Sequence, residues 1–155
     1  MGPVRRATPR DAGRLSLLLP AVHDWHAARY PDVFLPNPDP VRVTEHFAKL
    51  AEDPNVSILL SGDPPCAYAV CILQDRPAGL VTHPWRRLLI DQVATDPDHR
   101  REGHGRALFD AARNLARDLG CDEIVLDTWG DNIEAHAFFR AMGFAPQRHL
   151  FARKP

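Results

Sequence analysis

Apolar positions along the chain follow two rhythms. Ala12, Leu15, Leu18, Leu19 and Val22 recur at helical spacing, and Val43, Phe47 and Leu50 repeat that spacing further on. Both series carry a start signal. Thr8-Pro9-Arg10-Asp11 supplies a threonine cap, a proline at the first helical position and an acid at the third, and Asp39-Pro40 repeats the theme. Pro20 falls inside the first series and predicts a kink or a break into two helices. Residues 31–40 (PDVFLPNPDP) read as a loop. Short apolar runs give the strands. Residues 4–7 form a brief opening one, and VSILLS (56–61) with CAYAVCIL (66–73) make an antiparallel hairpin around GDPP (62–65). Residues 87–95 (RLLIDQVAT), 123–128 (EIVLDT) and 149–153 read as three more. Helical spacing returns over 105–119, where Ala107, Leu108, Ala111, Leu115 and Leu119 form the stripe and Gly120 the stop, and over 133–142, ended by Gly143.

The order is therefore β-α-α-β-β-β-α-β-α-β. Strand, turn, helix and strand in the second half require a crossover, so two strands there run parallel in an otherwise mixed sheet. The expected class is α/β (α+β mixed sheet), with helices covering the sheet. A chain of 155 residues suits one domain, 1–155, with a real core. Hydrophobic residues at 45% and charged ones at 25% are ordinary for a soluble protein. Nineteen basic against 20 acidic side chains leave a charge of −1, which argues against nucleic acid as the main partner. Cys66, Cys71 and Cys121 are odd in number and contain no CxxC pair, so neither a disulfide framework nor a zinc signature is expected. MGPVRRATPRDAG lacks a secretory apolar region and no run reaches membrane-spanning length, which predicts a cytoplasmic protein with no membrane partner.

The chemistry concentrates in HRREGHGRAL (99–108). A strand ending at Asp96-Pro97 leads into Gly103-x-Gly105 at the start of a helix, where unpaired amides and the helix dipole make an anion site. Arg100 and Arg101 add positive charge. The Walker pattern fails for want of Lys-Ser or Lys-Thr, and the dinucleotide pattern fails because Leu108 stands at its third glycine.

Arg100-x-x-Gly103-x-Gly105, set within IDQVATDPDHRREGHGRAL, resembles the cofactor motif of the GNAT superfamily of acetyl-CoA-dependent N-acetyltransferases. Asn132-x-x-Ala135-x-x-Phe138-Phe139-x-x-x-Gly143-Phe144 resembles that family's second signature. The resemblance implies a central sheet of about six or seven strands with about four helices and a splayed strand pair. It also implies acetyl-CoA as cosubstrate, held by Val93, Ala94 and Thr95, by Arg100, Arg101, Glu102, Gly103, His104, Gly105 and Arg106, and by Asn132 and Phe139. The implied reaction is direct acetyl transfer to a primary amine of a small molecule or peptide; a homodimer is compatible with it.

Amine attack on a thioester needs a base. Asp91 is the first candidate, since an acid in an apolar strand is costly unless paired or used, and period two places it with Val93 and Thr95. Its structural alternative is an ion pair with Arg86 or Arg87; His83 is another base. The family's tyrosine acid is replaced by Phe139, which has no proton to give. The thiolate then leaves unassisted, or water or His136 substitutes. His23, His26 and Tyr30, with Trp85 and Trp129, are candidates for the acceptor pocket. Two histidines without a third ligand do not make a metal site, and no metal is expected. His46 and His149 read as surface or structural. A rival reading is an acyl-CoA-binding or sensing module with little catalysis.

Overall fold

The computed structural model describes residues 2–155. Five strands form one sheet in sequence order: β1 (Arg5–Arg6), β2 (Val56–Ser61), β3 (Ala67–Arg76), β4 (Trp85–Thr95) and β5 (Glu123–Val125). The first three pairings are antiparallel and β4–β5 is parallel, so the expected mixed sheet is present. The helices are α1 (Ala12–Leu18), α2 (Pro20–Arg29), α3 (Pro40–Glu52), α4 (His104–Asp118) and α5 (Ile133–Ala141). No helix is long and apolar enough to cross a membrane among the described residues.

Local chemistry accounts for most boundaries. Thr8 and Asp11 form a reciprocal capping box, and the Asp11 carboxylate also receives the Arg5 guanidinium at 2.7 and 3.0 Å. Pro20 has no N–H to give back to Ser16, and the helix divides there into α1 and α2. Asp39 caps α3 through the Val41 amide at 2.9 Å. Gly120, at φ +66°, closes α4 with the Cys121 amide reaching back to the Ala116 carbonyl at 2.9 Å.

Two apolar layers share the sheet. On one face α1 and α3 pack Leu15, Leu18 and Phe47 against Ile58, Leu60, Tyr68, Val70 and Ala94. On the other, Leu108, Phe109, Ala112 and Ala116 of α4 cover Ala67, Ala69, Cys71, Leu88 and Ile90. The stripe predicted for α4 is turned slightly. Ala107, Ala111, Leu115 and Leu119 are only half-buried, because Phe109 on the flank packs on Phe138, Phe139 and Phe144 and widens the covered face.

The strand count is lower than expected. β5 stops at Val125 instead of Thr128, and residues 149–153 form no strand. A strand exists only where a neighbour takes its backbone groups, and Leu150 and Phe151 stand 96% and 92% exposed with no such neighbour.

Candidate active site

Strand β4 interrupts its own alternation once. Cys71 pairs with Ile90 and the next pair is Val70 with Gln92, so Asp91 has no partner and forms a bulge. The extra position breaks the strict period two that set Asp91 on one face with Val93 and Thr95; Val93 itself packs with the α4 layer. Beside it, Gln92 accepts a hydrogen bond from the Tyr68 hydroxyl at 3.0 Å. Lost hydration raises the Asp91 carboxyl above its ordinary value, repulsion from Asp127 adds to that, and His46 works the other way. Neither arginine suggested as its partner is there: Arg86 pairs with Asp75 at 2.8 Å and Arg87 with Glu123 at 2.9 Å. Asp127 escapes the sequence reading, although the signal that singles out Asp91, an acid in an apolar run, is present there too.

The bulge sits beside a split. β5 follows β4 for three pairs, the last being Leu89 with Val125. From Ile90 onward the edge of β4 away from β3 has no strand against it among the described residues. Val93, Ala94 and Thr95 lie on this stretch.

The open edge runs directly into the glycine turn. Asp96 caps a short 3₁₀ turn, Pro97–His99, through the Asp98 amide at 3.1 Å. Arg101 and Gly103 then adopt left-handed backbone, φ +64° and +90°. Glycine does so freely and arginine at a cost of about 1–3 kcal/mol, a kind of strain that concentrates at functional sites. No side chain caps α4, so its leading amides, including those of Gly105 and Arg106, remain free for a ligand or solvent. Arg100, Arg101 and Arg106 are exposed and enter no ion pair among the described residues. The two glycines serve different ends. Gly103 answers the backbone angle; at Gly105 a Cβ would stand 3.1 Å from the Phe138 ring, so its bareness lets α5 approach α4. His104 is buried beneath the turn, with Nδ1 on the Ser61 hydroxyl at 2.9 Å. A cleft of about 210 Å³, lined by Leu17, Leu18, Pro20, Ala21, Asp24, Asp96 and Pro97, opens beside the turn.

Part of the expected acceptor wall assembles. Tyr30 stacks on Trp129 with ring centroids 3.9 Å apart, and Phe34 meets His26 at 5.2 Å and Trp129 at 6.0 Å. Asp131 binds the Tyr30 hydroxyl and, at 2.5 Å, the Arg29 guanidinium. His23 and His26 donate ring N–H groups to the Leu35 and Val22 carbonyls at 2.6 and 2.7 Å, which ties them to backbone. Trp85 does not join them. It lies at the other end of β4 under Arg87, 3.8 Å from the ring centroid, and roughly 20 Å along the strand from Asp91. His83 is exposed in the loop at that same end.

In the second signature, Asn132 caps α5 by accepting the Ala135 amide at 3.2 Å. Phe139 stands among Phe109, Phe138 and Phe144, at centroid distances of 5.9 to 6.4 Å. His136 donates Nε2–H to the Trp129 carbonyl at 3.0 Å.

The chain spans only 26 to 39% of the relatives it matches in sequence. N-acetyltransferase 8 of Homo sapiens is 37% identical over 59 residues, 38% of this chain and 26% of that protein. Aminoglycoside N(6')-acetyltransferase type 1 of Stenotrophomonas maltophilia is 38% identical over 60 residues, 38% of this chain and 39% of that protein. Among solved structures, a tetramutant of the BH1408 protein of Bacillus halodurans superposes with a TM-score of 0.88 at 24% identity, covering 98% of this chain and 99% of that one. An aminoglycoside N-acetyltransferase, AAC(6')-Iy, in complex with CoA gives 0.74 at 17% identity over 97% and 93%. These structural likenesses establish the fold. Residues 19–144 match the sequence model of the acetyltransferase (GNAT) family, and the chain belongs to that family.

Proposed function

We propose that the protein transfers an acetyl group from acetyl-CoA to a primary amine of a small molecule or peptide, by direct attack within a ternary complex. One observation carries this reading: the unpaired edge of β4 runs from the Asp91 bulge to the uncapped start of α4. An activated acyl group and an anionic tail therefore have adjoining seats. Acetyl-CoA, when bound, supplies the activated acyl group and the thiolate leaving group. The residues fit it: free amides and unpaired arginines at 100, 101 and 106 suit a pyrophosphate, and free backbone along 93–95 suits an amide-bearing arm.

The chain's own groups then divide the work. A backbone N–H on the open β4 edge donates to the carbonyl oxygen as it gains charge. Asp91, with its raised pKa, takes the proton from the incoming ammonium or amine. No side chain donates to the leaving sulfur, since Phe139 has no proton and His136 is engaged with Trp129. A thiol of pKa about 8.5 is a tolerable leaving group near neutrality. Asp91 and Asp127 together favour a cationic acceptor, and the Tyr30–Trp129 stack borders its path.

Phe139 supports one rival, a module that binds acyl-CoA and turns it over weakly or not at all. A panel of amines with acetyl-CoA, followed by free-thiol release, separates the two. Turnover with at least one amine is expected; tight CoA binding with no thiol release for any amine would establish the rival.

A further inference from the structure

Outside the cleft, a second group of donors converges beneath the glycine turn. Its members come from three separate segments. Cys66 follows the GDPP turn, where its Sγ packs over Gly62 so closely that a Cβ there would stand 2.7 Å away. Its position is fixed twice, by its amide on the Ser61 carbonyl at 2.9 Å and by its carbonyl receiving the Asp96 amide at 2.8 Å. His99 ends the 3₁₀ turn, and Glu102 and His104 flank Gly103.

Their donor atoms approach one another closely. His104 Nε2 is 3.3 Å from Cys66 Sγ and 3.5 Å from Glu102 Oε2, which is itself 3.2 Å from His99 Nδ1. One donor atom from each of Cys66, His99 and His104 lies within 4.8 Å of the others. Tetrahedral zinc with its usual bond lengths holds N and S ligands ~3.6 Å apart and N and O ligands ~3.3 Å apart. We infer that Cys66, His99 and His104 form a three-ligand site for a divalent cation of the zinc class, with the Glu102 carboxylate beside it, binding the glycine turn to the β2–β3 hairpin.

The chemistry of the donors selects that class. A thiolate with two imidazoles is a borderline-soft set, suited to zinc with a water in the fourth position and unsuited to magnesium or calcium. Support from behind is in place: the Ser61 hydroxyl lies 2.9 Å from His104 Nδ1 and can accept its N–H when Nε2 binds the ion. Cys66 and His104 are buried, whereas His99 and Glu102 lie at the surface, so the site has an inner wall and an open mouth. The thiol proton leaves to solvent as the Cys66 sulfur–metal bond forms. Spacing along the chain hides all of this, because Cys66 precedes β3 and His99 follows β4, and the antiparallel pairing of those strands brings them together.

The test is cobalt substitution in the full chain after chelator treatment. One equivalent of Co²⁺ should give the strong visible bands of a four-coordinate ion with a near-ultraviolet thiolate-to-cobalt band, and Zn²⁺ should displace it one for one. Cys66→Ser should abolish the charge-transfer band. His99→Ala and Glu102→Gln change exposed side chains and keep the test sound if the cysteine variant misfolds. Each should weaken Zn²⁺ binding by at least the roughly 10–100-fold that loss of even an outer-shell partner costs. A weak six-coordinate cobalt spectrum without the thiolate band would overturn the assignment. So would wild-type Zn²⁺ affinity in the His99→Ala variant.

Discussion

Between Arg87 and Leu89, β4 has a neighbour on each side; between Ile90 and Thr95 it has only β3. The first stretch holds Leu88, 1% exposed beneath α4, and its side chains serve the core. The second carries a bulge, an exposed acid with no ion pair among the described residues and one bare backbone edge. Both stretches supply the core, the second through Ile90 and Ala94, but only the second leaves one backbone edge unpaired. Stability and activity should accordingly separate along it.

The sharpest break in that comparison is Asp91→Asn. Loss of a general base costs about 10²–10⁴ in rate, and kcat should fall by that order while CoA affinity changes little. Stability should hold or rise slightly. Because the folded state raises the Asp91 pKa, the carboxyl's contribution to stability is greatest below its unfolded value and declines as pH rises through the folded one. Wild-type kcat with the best amine would remove Asp91 from the mechanism.

Leu88→Ala probes the other half. Its expected cost is about 2–5 kcal/mol in urea unfolding, with residual activity tracking the folded fraction. A selective loss of kcat in fully folded protein would contradict the division. Gly103→Val comes next. A side chain over the amides, at a backbone angle valine resists, should weaken CoA about tenfold or more by calorimetry, with only a modest fall in melting temperature. Unchanged affinity would sink the anion-turn assignment.

The smallest effect is a shift in pH dependence. With Asp91 as the proposed base, its ionised form is fully present only above its raised pKa, so kcat/KM should decline as pH falls through that value. Asp127→Asn removes a repulsive charge and should move this acidic limb to lower pH by less than about one unit. A limb that stays in place would show that another group titrates.

How far the sequence discloses all this depends on the range of the forces involved. The caps at Thr8 and Asp39, the break at Pro20 and the stop at Gly120 arise within a few residues, and local pattern reveals them. The β2–β3 hairpin is legible because a short turn fixes its register. The bulge at Asp91 is not, since it is defined by which β3 residue stands opposite. Residues 149–153 have a strand's composition without a strand's neighbour. Cys66, His99 and His104 meet through tertiary structure alone, and the tertiary placement of Asp127 by the early end of β5 is equally non-local.

The bulge has a last implication, which concerns insertion. Strike residue 91 from β4 and the pairing closes without a gap: Ile90 opposite Cys71 is followed at once by Gln92 opposite Val70. The alternation also becomes regular, with Ile90 and Val93 on the α4 face and Ala94 on the other. Asp91 is thus a residue the sheet can do without, a single extra position let into an otherwise ordinary strand. Deleting it should leave a fold with a straighter β4, which replacing its side chain cannot do.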